Sequence, residues 1–273
     1  MSPLAAAAQA PQSSLDRPLK IAIVTQADPF YIPVFVRRFL DDAPRRGIDT
    51  RLVVITSAFA ESTVSLARRM WRFYGPVRFV KLAFAYASIA VAERAGGAPR
   101  TVEPIARARR VPVRHVSDVN DPAFVGELRS LDLDVILSVA APQVFKPELL
   151  RVPRWGCVNV HAAKLPNYRG MMPNFWAFYH DEPSTGVTVH VMDEAIDHGP
   201  ILLQGDVPIR RDDTLHALMV RSKIEAARIT IDALAGVRDG SVELRQPEGV
   251  GSYFSFPRPE HVRSLRQRGR QLL

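Results

Sequence analysis

Short apolar runs alternate with helical patterns along the first part of the chain. The runs at 19–25 and 133–139 are continuously apolar and end at polar loops, which is typical of strands buried on both faces of a parallel sheet. The predicted strands are 19–25, 50–56, 111–116, 133–139 and 156–161, and the predicted helices are 31–40, 101–109 and 122–129. This alternation indicates an α/β fold in which helices cover both faces of a Rossmann-like parallel sheet.

Residues 62–94 interrupt this alternation with two helical patterns that meet at Gly75-Pro76. Cationic side chains stand among aromatic ones throughout the segment. Three interpretations remain open: an insertion that packs on the domain or forms a dimer contact, a lid over a substrate, and a basic surface for membranes or nucleic acid. We favour the first, so a homodimer is an open prediction.

The last predicted helix follows Asp212-Asp213-Thr214, which can cap its first turn, and runs to Ala235. Gly236 supplies the expected stop. A short strand-like piece from Ser241 and a basic tail complete the chain. The residues after this helix are too few to form a separate folded domain with ease.

Charge and cysteine content narrow the classes of partner and site. The formal net charge of +8 favours anionic partners such as nucleotides, nucleic acid or polyanionic cofactors. One cysteine, Cys157, excludes an internal disulfide and a multi-cysteine metal site, and we expect a buried thiol there. The first seventeen residues contain no apolar signal-peptide core, and no apolar run is long enough to span a bilayer, so we predict a cytoplasmic protein.

Three polar residues form the candidate site. Asn159 and His161 are two positions apart on a predicted strand, so their side chains leave it on the same face, at the carboxyl end where such sheets bind ligands. Asp197 follows a second, alternating strand at 186–191 that returns toward them. His190 on that strand is expected to be a polar strand residue or a partner of the site rather than a direct catalyst. Amide, imidazole and carboxylate groups are those needed to stabilise an oxyanion and move a proton. Asn is a poor transition-metal ligand, so no metal is predicted.

The stretch around these residues closely resembles the folate-dependent formyltransferase family, whose members formylate glycinamide ribonucleotide, methionyl-tRNA and nucleotide-linked amino sugars. The matching pieces are Asn159-Val160-His161, Leu165-Pro166, Tyr168-Arg169-Gly170, Pro173, Trp176-Ala177, Thr185-Gly186-Val187-Thr188-Val189-His190 and Ile196-Asp197-His198-Gly199-Pro200-Ile201. No glycine-rich phosphate loop follows the first strand, which argues against a nicotinamide site.

The resemblance implies a donor, a reaction and a set of binding residues. The donor would be 10-formyltetrahydrofolate, and an acceptor amine would attack its formyl carbon. Asn159 and a protonated His161 would stabilise the developing oxyanion, while Asp197 would orient His161 or assist removal of the amine's proton. The expected donor-binding residues are Ala141, Pro142, Gln143, Val144, Phe145, Asp193 and Ile196. The expected acceptor-binding residues are Tyr168, Arg169, Gly170, Met171 and Pro173.

The predicted domains combine this resemblance with the local sequence patterns. Residues 1–17 are expected to be a disordered leader, 18–205 a formyltransferase core with the insertion, and 206–273 a C-terminal helix and basic tail. Methionyl-tRNA formyltransferases carry an additional C-terminal barrel that helps to hold the tRNA, and the tail here is too short for one. We therefore expect a small-molecule amine as acceptor, a nucleotide-linked amino sugar before a hydroxylated ornithine. Methionyl-tRNA, hydrolysis of the donor and simple folate carriage remain open.

Overall fold

A seven-stranded sheet forms the centre of the computed structural model, which describes residues 17–56 and 63–273. Within these residues the strands are β1 Leu19–Gln26, β2 Ile48–Thr56, β3 Val113–Val116, β4 Val135–Ser138, β5 Cys157–His161, β6 Arg169–Gly170, β7 Ser184–Val191, β8 Ile201–Pro208 and β9 Tyr253–Phe254. The large sheet has the order β3-β2-β1-β4-β5-β7-β8, and its first five strands are parallel. β7 and β8 complete it in antiparallel fashion. The predicted α/β fold is confirmed.

Helices cover both faces of this sheet. They are α1 Ile32–Asp42, α2 Thr63–Tyr74, α3 Pro76–Arg94, α4 Val102–Ala108, α5 Pro122–Ser130, α6 Pro147–Leu150, α7 Pro173–Tyr179, α8 Leu215–Asp239 and α9 Pro259–Gln267, with a 3₁₀ turn at Ala43–Arg46. Alternation along β1 divides the core, because Ile21 and Ile23 pack on the α1 side while Ala22 and Val24 pack on the α5 side. This explains why the strand reads as a continuous apolar run.

Two predictions near the end of the chain need correction. The structure shows an additional strand, β8, which pairs with β7, and its half-exposed positions explain why apolar periodicity did not predict it. The prediction that Gly236 ends the last helix is wrong, because α8 continues to Asp239 and stops at Gly240, whose φ is +69°. Burial of Val237 against the core outweighs the helix cost of the glycine before it. The expected strand-like piece is a single antiparallel bridge between Arg245 and Ile201.

The C-terminal tail packs back onto the core beside the candidate site. β9 pairs in parallel with β6, which lies in the loop after β5. The Phe254 ring stacks on Trp176 and Tyr168, with centroid separations of 4.7 and 5.4 Å. Trp176 Nε1 also donates to the Ser255 carbonyl at 3.0 Å. The tail therefore helps to hold the loop on which the predicted acceptor residues lie.

The predicted pair of helices in the insertion is confirmed, with Gly75 and its φ of +76° between them. Phe73 anchors the first helix against Phe175 and Phe256, at centroid distances of 5.7 and 5.6 Å. By contrast, α3 has no buried residue. Ser62, the predicted start of the insertion, and residues 1–16 of the predicted leader lie outside the described residues. Within the described ranges, no helix has both the length and the apolar character that crossing a bilayer requires.

Candidate active site

Asn159, His161 and Asp197 meet at the carboxyl end of β5. Asn159 Nδ2 donates to Asp197 Oδ1 at 3.2 Å, and His161 Nδ1 lies 3.5 Å from Asp197 Oδ2. Asn159 and His161 leave β5 on one face, as their spacing predicted. Asp197 has a φ of +52° in the loop between β7 and β8, a conformation that is uncommon for a non-glycine residue and that occurs at functional sites.

Two N–H donors and a second imidazole surround the Asp197 carboxylate. Besides Asn159, it accepts from the Gly170 backbone N–H at 3.0 Å, and His190 Nε2 lies 3.6 Å away. Gly170 has a φ of +90°, and a Cβ atom there would lie 2.4 Å from the Phe254 carbonyl oxygen. Only glycine therefore allows this N–H to reach Asp197 while β6 stays paired with β9.

His190 takes a direct part in the arrangement. It lies opposite Asn159 in the β5–β7 register, and its Nε2 is 3.2 Å from Asn159 Nδ2. Because His190 Nδ1 donates to the Val191 carbonyl at 2.9 Å, Nε2 is the ring nitrogen that can accept from the Asn159 amide. Both N–H groups of the Asn159 amide are therefore engaged, one by His190 and one by Asp197. The amide must release one of them before it can donate to a substrate oxygen.

His161 is buried, and both of its ring nitrogens face oxygen acceptors. Nε2 donates to the Tyr168 carbonyl at 2.8 Å, while Nδ1 faces Asp197. Burial lowers the pKa of His161 below its ordinary value, although Asp197 and the Tyr168 carbonyl oppose this shift. A neutral imidazole in the free site fits a proton acceptor better than the protonated donor that the sequence suggested. Once protonated, it would be paired with Asp197.

Asp197 stays ionised over a wide pH range. Burial alone would raise its pKa, but the contact with His190, the nearby His161 and the Gly170 N–H together lower the pKa to about 2 from 3.8. The carboxylate is thus the fixed negative charge of the site.

We expect this depressed pKa to make folding pH-dependent. Because the pKa of Asp197 is lower in the folded state, its stabilisation is fully present above pH 3.8 and is lost as pH falls through about 2. A shift of this size corresponds to about 2 kcal/mol. Urea unfolding of Asp197→Asn should therefore differ most from wild type at pH 6 and converge with it near pH 2. The exposed Asp212→Asn serves as control, and a constant difference at all pH values would contradict the assignment.

The loop expected to bind the donor lies at the carboxyl end of β4, on the same edge of the sheet as Asp197. It contains Ala141 and Pro142, both partly buried, and Gln143, whose side chain bonds the Val119 N–H and the Ser117 carbonyl. Val144 is 53% exposed, whereas the Phe145 side chain is buried in the core. Phe145 can therefore line a ligand site only through its backbone.

The loop that carries Asp197 presents one more exposed apolar side chain. Ile196 is 55% exposed. Asp193 is used within the loop, where Oδ1 accepts from the Ala195 N–H at 2.9 Å and Oδ2 lies 3.4 Å from His198 Nδ1. Val144 and Ile196 thus supply the exposed apolar groups of the two loops, and Asp193 shapes the backbone between them.

The loop expected to bind the acceptor contributes several different groups. The Tyr168 hydroxyl donates to Glu182 at 2.6 Å, and Arg169 Nε is buried without a hydrogen-bond partner among the described residues. Met171 is 48% exposed, and Pro173 begins α7. Gly170 is already bound to Asp197. In this loop, the Arg169 guanidinium and the exposed Met171 side chain are therefore the groups that could contact a ligand.

Lys223 is a polar residue that the sequence analysis missed. It lies on α8 with 9% exposure. Burial lowers the pKa of Lys223, while the Asp28 carboxylate opposes that shift. The charge of Lys223 also contributes to lowering the pKa of His161, which places it near the site. The sequence feature that could have indicated this residue is a lysine on the apolar face of a predicted helix.

Asp28 lies after β1 on the same edge of the sheet. Its Oδ1 accepts from the backbone N–H groups of Phe30 and Tyr31 at 2.8 and 2.6 Å, so it caps the start of α1. The Asp28 carboxylate acts electrostatically on Lys223, so the two groups lie near each other beside the site. An anionic part of a ligand could complete the contacts of Lys223.

In the part of the chain that the structure describes, no group of three or more His, Cys, Asp or Glu residues could hold a metal ion. Cys157 is buried, and burial raises the pKa of its thiol. The site instead combines an amide, a neutral imidazole and a permanent carboxylate. Such a set can accept a proton from an attacking nucleophile and bind a developing oxyanion.

Known proteins resemble this chain over a large part of its sequence. The family model described as Formyl transferase matches residues 75–234. The methionyl-tRNA formyltransferase of Pelobacter propionicus is 36% identical over 164 residues, which make up 60% of this chain and 51% of that protein. The chain spans about half the length of the curated relatives that it matches.

Two solved structures share the fold. A sugar N-formyltransferase from Shewanella sp. has a TM-score of 0.58 and 17% identity, with 91% of this chain and 87% of that chain covered. The N-formyltransferase from Helicobacter canadensis, in complex with folinic acid and dTDP-3-aminofucose, has a TM-score of 0.55 and 16% identity, with 87% and 71% covered. Because the family model covers more than half of the sequence, including the strand that carries Asn159 and His161 and the loop that carries Asp197, this chain belongs to the formyl transferase family.

Proposed function

We propose that this protein transfers a formyl group from 10-formyltetrahydrofolate to the amine of a nucleotide-linked amino sugar. The observation that carries the proposal is the convergence of Asn159, His161 and Asp197 at the carboxyl edge of the sheet. The exposed Val144 and Ile196 support a donor site that receives the flat, largely apolar face of a pterin ring. The related fold of the Helicobacter canadensis enzyme, whose complex contains folinic acid, supports the same class of donor.

The reaction would proceed by attack of the acceptor nitrogen on the formyl carbon. The carbon–nitrogen bond to the acceptor forms as the carbonyl electrons move to oxygen, and the oxyanion is stabilised by an Asn159 N–H that leaves Asp197 or His190. His161 takes the proton of the attacking amine, and Asp197 stabilises the resulting imidazolium. Collapse of the tetrahedral intermediate breaks the bond to the folate nitrogen, which takes the proton from His161 and leaves as part of tetrahydrofolate.

Buried Lys223 supports an acceptor that carries a phosphate. Burial disfavours the charged form of this ammonium group, and a phosphate oxygen would supply a counter-charge and hydrogen bonds close to it. A phosphate-linked sugar offers such a group together with a primary amine. The same argument applies to a terminal nucleotide of tRNA, and the methionyl-tRNA formyltransferases among the relatives make methionyl-tRNA the second candidate.

The acceptor is tested by incubating the protein with 10-formyltetrahydrofolate and different amines. We expect release of tetrahydrofolate only when an amino-sugar nucleotide is present, with the N-formyl product identified by mass spectrometry. Transfer to methionyl-tRNA alone would favour the second candidate. Release without any acceptor would indicate a hydrolase, and donor binding without release would indicate a carrier. A hydroxylated ornithine belongs in the same panel.

We expect Lys223→Met to weaken acceptor binding more than catalysis. A charge-assisted hydrogen bond contributes about 1.5–3 kcal/mol, so the acceptor KM should rise about 10- to 100-fold while kcat changes less. Steady-state kinetics with varied acceptor at saturating donor measure this split. Lys20→Met is the matched control, because Lys20 Nζ pairs with Asp132 at the amino end of β1, away from the site. An unchanged acceptor KM in the Lys223 variant would contradict the assigned contact.

A further inference from the structure

Helix α3 exposes apolar side chains along its outer face. Val77, Val80, Phe84 and Val91 are 68%, 59%, 76% and 63% exposed. At about 100° per residue these four positions fall in one narrow arc of the helix, which we call the outer stripe. Single exposed apolar residues are ordinary, but a contiguous stripe of this kind marks an interaction surface.

The opposite face of α3 is apolar as well. Phe79, Leu82 and Ile89 are only partly buried, and the Phe79 ring contacts Trp71, which is itself 46% exposed. A helix that is apolar on all sides is normally covered on all sides. In the described structure the inner face of α3 meets α2, and nothing covers the outer stripe.

The exposed charged side chains of the two helices are of one sign. Arg68, Arg72, Lys81 and Arg94 are the exposed charged side chains in the described part of the two helices. The carboxylate of Glu93 points away from this surface, since it accepts from the Thr101 N–H at 2.7 Å and the Thr101 hydroxyl at 2.8 Å. The α2–α3 hairpin, defined as Thr63–Tyr74 and Pro76–Arg94, is therefore apolar and cationic.

The apolar stripe and the cationic side chains of the hairpin together distinguish between the partners that could bind this surface. A second copy of the chain would bring cationic surfaces together without an exposed hairpin acid to pair them. RNA would pair the cations but would leave the valine and phenylalanine side chains in water. An anionic bilayer accommodates both, because apolar side chains enter the acyl boundary while Arg and Lys contact the headgroup phosphates.

We propose that the α2–α3 hairpin is a docking surface for an anionic lipid bilayer, with α3 lying in the plane of the interface. The hairpin is tied to the rest of the protein at its inner end, where Arg266 Nη2 donates to the Tyr74 carbonyl at 2.7 Å. Tyr74 also hydrogen-bonds Tyr31 at the start of α1, beside Asp28. Docking would therefore hold the carboxyl edge of the sheet, where the candidate active site lies, near the membrane surface.

Vesicle flotation tests this surface directly. The full-length protein should float with vesicles of phosphatidylcholine mixed with phosphatidylglycerol, and much less with phosphatidylcholine alone. Added salt should release it, because the attraction between exposed charges is screened. The double variant Val80→Ser/Phe84→Ser should lower the bound fraction about tenfold or more, since it removes two apolar side chains from the interface. Lys81→Glu should weaken binding to the anionic vesicles without changing the stripe.

Matched controls and competing outcomes make the test decisive. Val250→Ser replaces an apolar side chain that is 94% exposed outside the hairpin, and Arg129→Glu replaces an exposed cation on α5, so neither should change flotation. Failure of the wild type to float, or equal flotation of the stripe variant, overturns the proposal. The proposal is also overturned if the wild type forms a dimer in light scattering, or retains RNA on a filter, and the stripe variant loses that property while its vesicle binding is unchanged. Formyl transfer to a freely diffusing acceptor should remain unchanged in every variant, so the proposed function is tested separately.

Discussion

Replacing Asp197 with Asn is expected to lower kcat/KM for formyl transfer by about 10²–10⁴, the usual contribution of general acid–base catalysis. Asn can still accept the Gly170 N–H but carries no charge to stabilise His161 when it takes up the amine proton. The loss should therefore appear mainly in kcat. Release of tetrahydrofolate at saturating donor and acceptor measures it.

The control for this variant is Asp206→Asn, which removes another carboxylate from an exposed ion pair with Lys164. Exposed pairs contribute little, so its activity should stay near that of the wild type. If Asp197→Asn folds normally and turns over at the wild-type rate, the carboxylate has no part in the proton transfer. A comparable loss in the control would indicate a general effect of charge.

Replacing Asn159 with Ala is expected to lower kcat by about 10²–10³, as removal of an oxyanion donor usually does. The variant also frees Asp197 and His190 from the amide that joins them, and both keep other partners, Gly170 and the Val191 carbonyl. The fold should therefore persist, with melting temperature and circular dichroism close to those of the wild type.

The exposed Asn167→Ala, in the loop after β5, is the matched control for this substitution. Its kinetics should match the wild type because its side chain makes no contact with the three central residues. Normal turnover in Asn159→Ala would remove the basis for assigning an oxyanion site at the end of β5. If the variant binds the donor more weakly but keeps a normal kcat, Asn159 would instead be assigned to folate recognition.

Local patterns predicted the parallel part of the sheet well. Continuous apolar runs identify strands such as β1 and β4 because both of their faces are buried. The spacing of Asn159 and His161 also determines that they share a face, since side chains alternate along a strand. These features depend on residues close in sequence, so periodicity reveals them.

Other features depend on partners that are distant in the chain. His190 contacts Asn159 because the β5–β7 register sets them opposite each other, and a shift of one residue would turn His190 to the other face. Phe145 is buried in the core although it follows directly on exposed Val144, and α8 passes through Gly236 because its last turns are buried. Neither the burial of Phe145 nor the continuation of α8 through Gly236 follows from the conformational preferences of neighbouring residues.

The sequence by itself determined the alternation of the first five large-sheet strands with helices, the edge of the sheet where the site lies and, through its motifs, the family. The tertiary structure decided which groups meet there. It placed the Gly170 N–H, His190 and Lys223 around the central residues, and it buried His161 so that the pKa of the ring is lowered. The physical reason is that alternation and capping are short-range effects, whereas burial, desolvation and hydrogen-bond partners depend on how remote segments pack.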